Sequence, residues 1–78
     1  SDIKDKVFIK DGTNERIKIS DLSNLDPLDF YVHSFFSEYG FDYKEVIKLF
    51  TSDSGKYIDS TKYKLTKNKN DLIITKND

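Results

Sequence analysis

The stretch DPLDFYVHSFFSEYGFDYKEVIKLF, residues 26–50, decides how the rest of the chain is read. Leu28, Val32, Phe35, Phe36 and Tyr39 recur at three- and four-residue spacing, which lines them up as one apolar stripe along a helix. Pro27 suits the first helical position, where its missing amide hydrogen costs nothing. Asp26 is placed to cap, and Asp29 stands near the positive end of the helix dipole. Gly40 follows where a left-handed residue closes a helix, so a helix is expected over 27–39. Asp42 with Glu45 three residues on has the form of a capping box. Tyr43, Val46, Ile47 and Phe50 then supply the apolar side of a second, shorter helix, and the two helices form a hairpin.

Working outward, Val7 and Ile9, then Ile17 and Ile19, alternate with polar neighbours on either side of Asp11-Gly12-Thr13-Asn14, a strong turn signal. That is a β-hairpin, and Leu22 and Leu25 bridge it to the helices. Downstream, small polar residues at 52–55 interrupt the helical pattern. Segments 57–60, 61–67 and 72–76 are rich in Tyr, Ile, Thr and Leu and are expected as strands, with the turn Asn68-Lys69-Asn70-Asp71 between the last two. The order ββ-αα-βββ has no strand–helix–strand alternation. It points to an α+β domain in which a small antiparallel sheet carries a helical hairpin.

A chain of 78 residues has room for one core, because about 60% of the unfolded surface is buried at this size. Residues 1–78 are therefore read as a single domain, and the start at Ser1 rather than Met as the mark of a piece cut from a longer protein. The charged fraction, 35%, nearly equals the hydrophobic fraction, 36%, a balance that favours disorder unless the apolar residues are large and regularly placed; six Phe and five Tyr meet that condition. Cysteine is absent, so disulfides and thiolate metal sites are excluded, and a reducing, cytoplasmic setting is expected. No apolar run approaches the roughly 20 residues that span a bilayer, so no membrane partner is expected.

Catalytic equipment is missing. Ser54-Gly55-Lys56 resembles the end of a phosphate-binding loop, but Phe50 stands where that motif needs its first Gly and Tyr57 where it needs Ser or Thr. His33 is the single His, so no His pair exists for a metal, and there is no Cys for it to activate. Asp26 and Asp29 are accounted for by capping and the helix dipole rather than by acid–base work. No catalytic residue and no metal ligand is assigned, and no cofactor is expected on this chain.

Charge carries the one sharp functional reading. The net charge is −1, but between residues 56 and 70 five lysines, Lys56, Lys62, Lys64, Lys67 and Lys69, face a single acid, Asp59. Lys62 and Lys64 alternate with Tyr63 and Leu65, so their ammonium groups are expected on the face opposite the apolar pair. A lysine-bearing sheet face grips phosphates, and Tyr57 or Tyr63 adds a ring on which a base can stack. The same pattern also fits an ordinary solvated face, with both tyrosines in the core. The competing reading is a structural or protein-interaction module holding neighbouring domains or a second subunit, since Phe30, Tyr31, Phe36 and Phe41 crowd so small a core.

The run YGFDYKEVIKLFTSDSGKYIDSTKYKLTKNKNDLIIT resembles the region after the catalytic domain in bacterial tRNA(Ile)-lysidine synthetases, particularly of the Bacteroidetes type. The matching places fall on Tyr39, Gly40, Phe41, Val46, Ile47, Ser54, Gly55, Lys56, Tyr57, Ser60, Tyr63, Leu65, Leu72, Ile73 and Ile74, and the likeness extends over about residues 15 to 76. One departure stands at Lys67-Asn68-Lys69, where that family often has Lys-Asp-Arg; Lys69 cannot make a bidentate arginine contact. The resemblance implies a parent ligase that uses ATP and Mg to adenylate an anticodon cytidine and attach lysine. Its Ser-Gly-Gly-x-Asp-Ser loop binds ATP and is absent here, so this chain alone is not expected to be an enzyme. The implied role is an accessory, tRNA-contacting domain beside the catalytic domain of the same chain, in a parent that can be a homodimer.

Overall fold

The computed structural model describes residues 2–78. The chain runs α1 (Asp2–Val7), β1 (Phe8–Asp11), β2 (Asn14–Lys18), α2 (Ile19–Ser23), α3 (Leu28–Ser37), α4 (Tyr43–Phe50), β3 (Tyr57–Asp59), β4 (Tyr63–Asn68) and β5 (Asp71–Lys76). The expected ββ-αα-βββ order is present, with two short helices added at α1 and α2. All five strands form one antiparallel sheet in the order β1-β2-β5-β4-β3. The last strand thus lies in the middle, and its pairing with β2 joins the N-terminal hairpin to the C-terminal strands.

Strand alternation sorts the sheet into two unlike faces. Register lines up Phe8, Ile17 and Leu72, and in the next rung Ile74, Leu65 and Ile58, on the face that the helices cover. Ile17, Leu65 and Leu72 are completely buried there, with Leu22, Val32, Phe36 and Val46 packed from the helical side. Phe8 ties the layers together, its ring lying 5.7 Å from Phe35 and 5.4 Å from Phe36. The other face carries no helix. Ile9, Arg16, Ile73, Thr66 and Tyr57 make one rung across it.

Sequence expectation and structure part at four places. Ile19 does not continue its strand: its amide donates to Asn70 O at 2.9 Å, after which the chain turns into α2 and buries Leu22. Val7 closes α1 rather than opening a strand, in a helix with Asp2 and Asp5 in its first turn and Lys4 and Lys6 in its last, as the dipole favours. Asp26 does not cap. Helix α3 starts at Leu28 with Pro27 as its cap residue and no side-chain bond there, while the Pro27 carbonyl accepts from Tyr31 N. The helix also ends at Ser37, two residues earlier than expected.

Its end is closed by a Schellman arrangement. Phe41 N donates to Phe36 O and Gly40 N to Ser37 O, at 3.2 and 2.9 Å, with Gly40 at φ +86°. A Cβ at Gly40 would also come within 3.1 Å of Ser60 Cβ, so glycine is needed for both conformation and space. Helix α4 begins as expected, with Asp42 Oδ2 accepting from Glu45 N at 3.3 Å. Of the aromatics that crowd the sequence, Phe36 and Phe41 are buried and Tyr31 half-buried, whereas Phe30 is 63% exposed. Among the described residues no helix is long and apolar enough to cross a membrane.

Tyr39, just past α3, donates its hydroxyl to Glu15 of β2 and packs edge-on against Tyr63. Burial, then the bond to the Glu15 carboxylate, holds the Tyr39 hydroxyl well above its ordinary range. A tyrosine in the unfolded chain titrates near 10, so the stability from this bond is complete below about pH 10 and is lost as pH rises above it. Denaturant titrations of the wild type and Tyr39→Phe between pH 7 and 11 check this. The variant should be less stable by about 1–2 kcal/mol at pH 7, and the gap should close in the alkaline range. Curves that stay parallel to pH 11 would show that folding does not raise the Tyr39 hydroxyl above its ordinary range.

Candidate functional site

Because β4 alternates, its lysines do not share one environment. Lys64 lies on the helix-free face, opposite Thr75 of β5 and Asp59 of β3. Its Nζ sits 4.2 Å from the centre of the Tyr57 ring, on the same face. Lys62 precedes β4 and is exposed; its carbonyl accepts from Asn77 N at 2.8 Å, extending the β4–β5 ladder. Lys56 and Lys69 are exposed at the other end of β3 and β4, Lys69 in the turn at φ +58° with its amide bonded to Ser54 Oγ at 2.8 Å.

Lys67 points the other way. It falls on the rung of Leu72 and Ile17, and its half-buried Nζ donates to Phe50 O at 2.9 Å and Ser52 O at 2.5 Å. Those carbonyls lie at and just beyond the C-terminus of α4, where backbone acceptors lack helical partners and the dipole favours a cation. The structure therefore turns Lys64 to the helix-free face, leaves Lys62 exposed at one end of β3 and β4 and Lys56 and Lys69 exposed at the other, and sets Lys67 apart as a bolt between sheet and helix.

Two basic residues outside the 56–70 run stand on the same open face. Arg16 is bonded to Asp71 at 2.8 Å and to Asp11 at 3.4 Å, and its guanidinium is held above the ordinary range chiefly by the Asp71 bond. Its charge is matched within the sheet. Lys18 is exposed at the end of β2 and lines a groove with Lys69 and Asn70. Its alternation with Ile17 was the signal that places it outward. Among the described residues none of Lys18, Lys56, Lys62 and Lys69 belongs to an ion pair.

Tyr57 and Tyr63 separate cleanly. Tyr63 faces the helices, half-buried with its ring 5.0 Å from that of Tyr39, whereas Tyr57 is 55% exposed on the open face. The Ser54-Gly55-Lys56 segment offers no phosphate cradle. Gly55 N donates to Lys67 O at 2.7 Å and Lys56 N to Asp53 O at 3.2 Å, so the amides such a cradle would present are already bonded. Among the described residues no three His, Cys, Asp or Glu side chains converge as a metal site. His33 is exposed with its ring 5.8 Å from that of Tyr43.

A comparison with family models matches residues 10–77 to the TilS substrate binding domain. The chain belongs to this family. It is thus an accessory, substrate-binding domain of a tRNA(Ile)-lysidine synthetase, concerned with tRNA processing and lysidine synthesis. Comparisons with curated proteins and with solved structures gave no match. The TilS match runs from the second half of β1 to Asn77, including the whole lysine-bearing β3–β4 region, and leaves α1 outside.

The two kinds of lysine are separable by experiment. Lys67→Ala should lower the stability of the TilS domain by about 1–2 kcal/mol, by uncovering the end of α4. Lys62→Ala should stay within about 0.5 kcal/mol of wild type. Thermal unfolding of both variants under one buffer condition decides, and equal melting temperatures would contradict the assignment of Lys67.

Proposed function

We propose that this TilS domain contacts the tRNA substrate through lysines of the β3–β4 region, the exposed Lys56, Lys62 and Lys69 and the half-buried Lys64. Together they hold the RNA backbone while the catalytic domain of the same parent chain performs the chemistry. In this reading ATP and Mg belong to that catalytic domain, which adenylates the anticodon cytidine and joins lysine to it. The observation that carries the proposal is the coincidence of the substrate-binding family match with a cluster of lysines that has Asp59 as its one acid in sequence. Phosphate contacts of this kind fix the position of a nucleic acid without reading its sequence, which suits a domain that presents a substrate rather than transforms it.

A second reading rests on Phe30. It is 63% exposed, stacks edge-on with Tyr31, and borders a groove with His33 and Tyr43 on the outer side of α3 and α4. This is the surface by which the domain would lean on a neighbouring domain or subunit, and it is compatible with RNA on the opposite side of the sheet.

In the full-length enzyme, tRNA affinity of the wild type and of a Lys62→Ala, Lys64→Ala, Lys69→Ala triple variant should be measured across a salt series. Each phosphate contact removed should flatten the dependence of log K on log salt by about one unit. Lysidine formation at limiting tRNA should fall in parallel. Identical affinities and slopes for the two proteins would overturn the proposal.

A further inference from the structure

We propose that Tyr57 is a stacking platform for an unpaired nucleotide of the tRNA, with the groove beside it receiving the edge of that base; this rests on the tRNA-contacting reading above. Tyr57 stands on the helix-free sheet face, more than half exposed, and its ring pairs with no other aromatic ring among the described residues. Lys64 Nζ lies over the ring at 4.2 Å, from the strand neighbour on the Asp59 side. The space around Gly55, two residues before Tyr57, is open: a Cβ there would meet nothing within 4 Å. The ring thus has a cation over it and, with Tyr57 55% exposed, still offers surface to a second flat group.

Thr66 is the register partner of Tyr57 and is followed across the sheet by Ile73. From there a groove of about 540 Å³ runs over the open face, lined by Asn14, Ser54, Thr66, Asn68, Ile73 and Thr75 among others. Its floor is apolar at Ile73, and its rim consists of amides and hydroxyls that both donate and accept. That chemistry meets the edge of a nucleobase without fixing which base it is. Lys64 and Lys69, near the two ends of β4, supply cations for the flanking phosphates. The occupant is an unpaired nucleotide rather than a duplex, because bases within a helix have both faces covered by their neighbours.

Tyr57 lies outside the core, so its replacement is expected to leave folding unchanged. In the full-length enzyme, Tyr57→Ala should weaken tRNA binding by about 5- to 150-fold, the range of one lost base–aromatic stack. Its salt slope should stay that of the wild type, and Tyr57→Phe should bind as the wild type does. With a short single-stranded oligoribonucleotide the loss should persist; with an RNA duplex it should vanish. Wild-type tRNA affinity in Tyr57→Ala, beside weakened binding in the lysine variant, would overturn the stacking site and leave the phosphate-contact reading standing. Wild-type affinity in both would remove the two together. Unchanged tRNA affinity with loss of association between domains or subunits in Tyr57→Ala would assign this face to protein and overturn the proposal.

Discussion

Burial of the sheet on one side is the constraint from which the other features follow. Phe8, Ile17, Leu72, Ile74, Leu65 and Ile58 share a face because their strands are in register, and α3 and α4 are held where they can cover that face. Since β5 lies between β2 and β4, the covered face is continuous only once the end of the chain has joined the hairpin near its start. Burial of large apolar side chains, each worth about 1.5–3 kcal/mol, sets the scale. No single surface ion pair approaches it. The opposite face, left without a layer, is available for a partner.

The same alternation explains why charged groups differ so much in what they do. Glu15 and Lys67 lie on the covered face, where an unpartnered charge is costly, and both are bonded to groups from the helical layer: Glu15 to the Tyr39 hydroxyl, Lys67 to the last carbonyls of α4. Arg16 lies on the open face but is matched by Asp71 and Asp11. Among the described residues Lys56, Lys62, Lys64 and Lys69 belong to no ion pair, and Lys64 lies over the Tyr57 ring. A net charge near zero thus coexists with a locally basic region, because most acids lie elsewhere in the chain.

Much of this was legible in the residues. The helical hairpin could be read because its stripe, its Gly40 closure and its Asp42 cap are local signals that agree with one another. Helices α1 and α2 could not, since five- and six-residue helices have little periodicity and owe their existence to burying Val7 and Leu22 against the sheet. Strand order was equally hidden, because pairing of β2 with β5 is a tertiary choice. Lys67 was a partial miss. Two residues past Leu65 on the same strand, it had to point inward with the apolar set, but reading the five lysines as one stripe obscured that. The choice between Tyr57 and Tyr63 needed the actual start of β3, which sets which side of the sheet each ring takes.

In the proposed function the helix-free side of β3 and β4, not the outer side of the helical hairpin, meets the substrate. Backbone amide NMR or hydrogen exchange of the enzyme with and without tRNA tests it most directly. Perturbation should centre on Tyr57, Lys62, Lys64 and Thr66, with Phe30, His33 and Tyr43 unaffected. Perturbation confined to the Phe30 side of α3 and α4 would contradict it.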